Sequence, residues 1–228
     1  MRTRIKEVQT SADWDEVYRF RYLIYVEEMD RLQEYADHNQ KLIQEPLDRS
    51  GHVLAAYADD GHIVGTVRFN VGVDEHFGLY VDLYHLKEFG QFFPSCISIT
   101  TKLMIAAECR KGRLAMNLAL ECYDRGLNLG TCFDCIDCNE PLVGFFMKLG
   151  YRQIYPSVRH PEYGEVTPLV LVMHDTEYLK SIRSPLAKLS ARFKDTLNSV
   201  AWFKEAFGSK DEPSALFLSR QDYESRVD

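Results

Sequence analysis

The chain has 228 residues, 46% hydrophobic and 27% charged, proportions that support a buried core and exclude disorder for most of its length. Its formal net charge of −7 argues against a broad nucleic-acid surface, which needs clustered Lys and Arg. The start, Met1-Arg2-Thr3-Arg4-Ile5-Lys6, lacks the apolar run of a secretory signal, and no stretch reaches the roughly 18 apolar residues of a membrane span.

Arg4–Val8 reads as a short strand. Thr10-Ser11-Ala12-Asp13 has the form of a capping box and opens a helix from about Trp14 to Met29. On a helical wheel Trp14, Val17, Tyr18, Ile24 and Tyr25 share one arc, and the charged Arg21 and Glu28 fall inside it. Asp30–Ser50 is polar with weak helical character and ends in Glu45-Pro46-Leu47-Asp48. Two strands, His52–Ala58 and Ile63–Asn70, flank Asp59-Asp60-Gly61, a hairpin signal.

Residues 71–95 carry Phe77, Tyr80, Tyr84, Phe89, Phe92 and Phe93, either as a cover over the core or as the wall of an apolar pocket. Cys96–Ala106 is Ile- and Thr-rich and reads as a strand. Glu108–Arg113 opens a helix running to about Asn128. Thr131–Asp137 is a further strand, and Asn139-Glu140-Pro141 starts a helix that ends at Gly150. Tyr151–Val158 and Val166–Met173 form a final hairpin. The order predicts a mixed α/β sheet of partly antiparallel character.

Leu186, Leu189, Phe193, Leu197, Val200 and Phe207 recur at helical steps, with Lys188, Arg192, Lys194 and Lys204 on other faces. This predicts an amphipathic helix that packs on its own domain or a dimer mate, or else lies on a membrane surface or partner. The organisation expected is one domain over 1–180 and a helical extension over 181–228. All six cysteines fall between Cys96 and Cys138, on predicted strands and helices. That placement fits reduced thiols in a cytoplasmic protein better than a disulfide framework. Cys132, Cys135 and Cys138 have a C-x-x-C-x-x-C spacing, but a strand sends the first two to opposite faces, so no metal site is expected.

The order of elements resembles the GCN5-related N-acetyltransferase (GNAT) fold, in the branch of autoinducer (acyl-homoserine-lactone) synthases and N-acyl amino acid synthases. Four stretches carry the resemblance: Arg19–Glu28, Asp48, Ile63-Val64-Gly65-Thr66-Val67-Arg68, and His160–Leu169 followed by Ser184-Pro185. The resemblance implies an N-acyltransferase with no bound cofactor. Its co-substrates would be a thioester on acyl carrier protein, less often coenzyme A, and a small amine such as an amino acid.

The same resemblance implies a pantetheine arm near the helix that starts at about Gly112, whose free N–H groups make an anion site. The usual glycine turn is degenerate here. Arg110, Lys111, Gly112 and Arg113 replace it, a basic stretch suited to an acidic carrier protein. Arg21 and Arg68 need buried partners, and either fix the first helix or recognise the acceptor's carboxylate or amine. A Glu-x-Ser-Arg pattern of the branch corresponds to Ile99-Thr100-Thr101-Lys102, so the expected carboxylate is replaced by Ile99. Glu28, Asp48 or a water chain is left to take the amine's proton. Thr100, Thr101, Lys102, His160 and Tyr163 complete the expected substrate-binding set. Two other readings fit the same sequence: a coenzyme A-dependent acetyltransferase, and a non-catalytic acyl-binding module.

Overall fold

The structure is a computed structural model and describes residues 3–72 and 77–208. Its first half runs β1 (Arg4–Glu7), α1 (Ser11–Tyr22), two-residue strands β2 (Ala36–Asp37) and β3 (Leu42–Ile43), β4 (His52–Tyr57) and β5 (Ile63–Val71). A single-turn helix α2 (Tyr80–Leu83), strand β6 (Ile97–Ile105) and helix α3 (Leu114–Asn128) follow. Then come β7 (Phe133–Cys138), α4 (Glu140–Leu149), β8 (Val158–His160), β9 (Gly164–Val172) and short helices α5 (Thr176–Ser181), α6 (Ala187–Ser190) and α7 (Ser199–Phe207). The mixed α/β class is as the sequence predicts. The described residues divide into two compact units: 3–71 with 99–125, and 72 and 77–98 with 126–208.

In the first unit the strands lie in the order β1-β4-β5-β6. β1 and β4 are antiparallel from Arg4↔Tyr57 to Glu7↔Leu54, and β4 and β5 form the predicted hairpin. Its turn closes through Ala58 N–H donating to the His62 carbonyl at 2.9 Å, with Gly61 supplying a φ of +94°. The capping box of α1 is present: Thr10 Oγ1 accepts from Asp13 N–H, and Asp13 Oδ2 accepts from Thr10 N–H, both at 3.2 Å. The helix does not stay α-helical to Met29. It loosens into a π-helical stretch over Leu23–Glu28, closed by Met29 N–H on the Ile24 carbonyl. A Cβ on Gly65 would stand 3.1–3.2 Å from Ile105, Leu114 and Leu118, so the missing side chain lets α3 lie close on β5.

The 30–50 stretch is not a weak helix. It holds the small β2–β3 hairpin and a 3₁₀ turn over Pro46–Arg49. Glu45 and Asp48 close that turn reciprocally, and Pro46 sits at its first position. α3 also begins later than predicted. Ala107–Cys109 forms a separate 3₁₀ turn, and regular helix starts at Leu114.

In the second unit the order is β7-β9-β8, all antiparallel, with β7 and β9 in register from Phe133↔Val172 to Cys138↔Thr167. The last hairpin is shifted from its predicted place. Of Tyr151–Val158, Arg152 alone makes a bridge, to Val170, and the strand proper begins at Val158. The predicted aromatic cover is core: Phe77, Tyr80, Tyr84, Phe89 and Phe92 are all buried. Trp202 packs 5.0 Å from the Phe92 ring and 5.6 Å from Phe133, and Phe203 is 6.0 Å from Phe133.

The tail is therefore not one continuous amphipathic helix. α6 ends after one turn, and Asn198 takes a left-handed φ of +54° before α7. The Asp195 carboxylate restarts the helix by accepting from Ser199 N–H at 2.8 Å and Val200 N–H at 2.9 Å. The apolar side of α7, Trp202 to Phe207, is spent on the unit's own aromatic core. The remainder of the predicted extension, beyond residue 208, lies outside the described residues. No helix among the described residues is long and apolar enough to cross a membrane.

Candidate functional site

β5 brings Arg68 into the interior because every residue from Ile63 to Asn70 on that strand is buried, polar ones included. The last turn of α1 supplies Arg21, and the 3₁₀ turn supplies Glu45 and Asp48. β6 supplies Lys102, whose backbone is left-handed at φ +57° in the middle of the strand. Such a residue interrupts a strand's regular alternation and re-aims its side chain. Here the Lys102 ammonium meets the Glu45 carboxylate and lies 4.9 Å from the centre of the Tyr25 ring.

These five side chains form one cluster. Arg21 Nη1 donates to both oxygens of Asp48 at 2.8 Å. Arg68 Nη1 donates to Glu45 Oε2 at 2.8 Å and to Asp48 Oδ1 at 3.0 Å, and its Nε donates to Thr101 Oγ1 at 3.1 Å. Asp48 Oδ2 also accepts the Glu45 N–H at 2.8 Å. Arg21 and Arg68 are 0% exposed, and Asp48, Lys102 and Glu45 are 4%, 5% and 9% exposed. Burial would raise the Glu45 carboxyl, but Lys102 and Arg68 outweigh it and bring it to about 2. The Gly51 backbone closes over Arg68: a Cβ there would be 3.0 Å from the arginine stem.

The predicted residues thus separate. Arg21, Asp48, Arg68, Thr101 and Lys102 come together. Thr100, beside them on β6, is half-buried. Glu28 makes its ion pair with Arg110, a part-exposed contact at the end of the π-helical stretch. Arg110 also donates from Nε to the Ile105 carbonyl at 3.0 Å. Lys111, Gly112 and Arg113 are exposed in the bend before α3. His160 and Tyr163 belong to the second unit. The His160 ring is buried, accepts the Glu162 N–H at Nδ1 at 3.0 Å, and stacks on Tyr163 at 4.4 Å. Tyr80 lies 6.1 Å from it and 5.3 Å from Tyr84, whose hydroxyl donates to Asp137.

The sequence reading missed Glu45 and Tyr25 as members of the cluster. The signal for Glu45 was present: a carboxylate three residues before Asp48 with proline between them is a reciprocal capping pattern. All six cysteines are free thiols, and no group of His, Cys, Asp and Glu able to hold a metal is found among the described residues.

No protein-family model matches the sequence, and no curated protein matches it. The structure is similar to that of TofI, solved in a ternary complex with an inhibitor and MTA (TM-score 0.61, 14% identity, 83% of this chain and 100% of TofI). It is similar to FeeM, an N-acyl amino acid synthase from uncultured soil microbes (TM-score 0.61, 14% identity, 82% of this chain and 97% of FeeM). It is also similar to MesI, a CoA-dependent acyl-homoserine lactone synthase (TM-score 0.57, 18% identity, 84% of this chain and 94% of MesI). The chain therefore has a GNAT-like mixed α/β fold, the fold it shares with TofI, FeeM and MesI.

Proposed function

We propose that the chain is an N-acyltransferase that moves a fatty acyl group from acyl carrier protein to the amine of an amino acid or a related small molecule. The observation that carries this reading is the cluster. Residues predicted from separate parts of the chain, Arg21, Asp48, Arg68 and Lys102, converge on one buried set of charges. A fold needs no such set to stand, since buried ion pairs contribute little net stability.

In the reaction a neutral amine attacks the thioester carbonyl carbon, the C–S bond breaks, and the thiolate leaves with the proton the amine gives up. Holding the amine against the carbonyl supplies much of the rate. The cluster suits that holding task. It does not suit the proton's removal: Glu45 is held at about 2, and both Asp48 oxygens are bound by arginines. Glu28 is the exposed carboxylate of the unit's predicted set, and with water it is the proton acceptor in this reading. Its Arg110 partner, with Lys111 and Arg113, gives the basic surface that suits an acidic carrier protein.

A coenzyme A donor is the second reading, because MesI is CoA-dependent. Mass spectrometry of lipids from cells overproducing the chain separates the outcomes. New N-acyl amides are expected, and their mass reports acyl length and acceptor together. No new amide, with the protein present and folded, counts against the proposal.

A further inference from the structure

Away from the charged cluster, two cysteines of the second unit stand side by side. Cys132 N–H donates to the Cys96 carbonyl at 2.7 Å, and Phe133 N–H donates to the same oxygen at 3.2 Å. Chains paired in this way run about 4.8 Å apart, inside the Cα separation of about 4.4–6.8 Å that a disulfide spans. The side chains meet as well: the Cys132 thiol is hydrogen-bonded with Cys96 and with Ser199. Their exposures differ. Cys96 is half-buried, whereas Cys132 is 2% exposed. Burial, reinforced by Cys96 and by the Asp195 carboxylate, pushes the Cys132 thiol up to about 12. Cys132 is thus poorly suited to meet an oxidant first, and Cys96 is the thiol of the pair within reach of one.

The chain leaves the second unit after Ser98 and returns to it at Gly126. Cys96 lies just before the exit and Cys132 just after the return, so a bond between them ties the two ends of that excursion. We propose that Cys96 and Cys132 are a redox pair: a hydroperoxide oxidises Cys96, and Cys132 resolves it to an intramolecular disulfide that clasps the chain at this crossing. The acyltransferase reading is not needed for it. In the first step the peroxide O–O bond breaks as an S–O bond forms on Cys96, giving the sulfenic acid and one water. The Cys132 sulfur then attacks the Cys96 sulfur. The S–O bond breaks, and the departing hydroxide takes the Cys132 proton and leaves as a second water. The two sulfurs together lose two electrons, and the peroxide gains them.

The test treats the full reduced chain with a small molar excess of hydrogen peroxide at neutral pH. Remaining thiols are blocked with a maleimide, and the unreduced protein is mapped by peptide mass spectrometry. One linked Cys96–Cys132 peptide, lighter by two hydrogens, is expected, and dithiothreitol should reverse it. Oxidation should raise the melting temperature by about 5–10 °C, because the disulfide closes a long loop in the unfolded chain. Cys132→Ser removes the resolving thiol, so dimedone should trap Cys96 as its sulfenic acid, whereas in the wild type the disulfide should consume it. Cys96→Ser should give neither the disulfide nor dimedone label on Cys132, and it carries the variant arm if Cys132→Ser does not fold by circular dichroism. Absence of the linked peptide from folded, peroxide-treated wild type would overturn the proposal. So would a link between other cysteines in its place, equal dimedone label on Cys96 in wild type and Cys132→Ser, or label on Cys132 in Cys96→Ser. A Cys96–Cys132 disulfide that leaves the melting temperature unchanged or lowers it would overturn the clasp.

Discussion

Asp48→Ala deletes the one carboxylate that both arginines share. In the protein it receives two 2.8 Å bonds from Arg21, one 3.0 Å bond from Arg68 and the Glu45 N–H at 2.8 Å. The variant takes from Arg21 the carboxylate that binds it and from Arg68 one of its acceptors, in surroundings where both arginines are 0% exposed. Removing one partner of a buried pair costs about 3–5 kcal/mol, and for a chain of this size each kcal/mol moves the melting temperature by about 2–4 °C. A fall of about 6–20 °C is therefore expected by far-UV circular dichroism at pH 7. Salt should not rescue it, because buried charges are poorly screened; the gap should persist between low and high ionic strength. Adding Arg21→Met to Asp48→Ala should cost less than the two changes separately, since the arginine left unpaired is the main source of the loss. A fall under about 3 °C, or strictly additive costs, would refute the picture of a coupled buried cluster.

Other expectations follow from the same geometry. Glu45 has an ordinary value of 4.5 lowered to about 2, so the stability it contributes is complete above 4.5 and is lost as pH falls toward 2. In urea unfolding, the difference between wild type and Glu45→Gln should be flat above pH 5 and shrink between about pH 4.5 and 2. Gly72→Ala would put a Cβ 2.2 Å from the Pro94 carbonyl oxygen and 2.7 Å from the Phe77 ring, and backbone cannot yield cheaply. A loss of about 1–3 kcal/mol is expected in chemical denaturation, and a neutral variant would show that the chain at Gly72 has room for a methyl group. Phe203 is 1% exposed against Phe133, so Phe203→Ala should cost about 3–5 kcal/mol. A silent variant would show that α7 does not belong to this core.

Much of the fold was legible because its signals are local. The Thr10 capping box, the Asp59-Asp60-Gly61 turn and the Asn139-Glu140-Pro141 helix start each act over a few residues, and each is found where it was expected. The cluster was half legible. Arg21 in an apolar arc and Arg68 in a buried strand announce a need for partners, and Asp48 meets it. What periodicity does not show is a departure from regular backbone. Lys102 enters the cluster through a left-handed residue inside a strand, and Tyr25 reaches it from a π-helical stretch. A helical wheel drawn at 3.6 residues per turn misplaces side chains there. The tail misled for a related reason. The three- and four-residue spacing from Leu186 to Phe207 is real, but Asn198 and the Asp195 cap divide it into separate short helices.

The proposed reaction is acyl transfer from a pantetheine thioester to an amine. Its most direct test supplies purified chain with long-chain acyl carrier protein, the same acyl group on coenzyme A, and pooled amino acids, and follows free thiol. Amine-dependent thiol release is expected, faster from the carrier protein, with one N-acyl amide formed per thiol. No release above the protein-free rate, from either donor at any chain length, would contradict it.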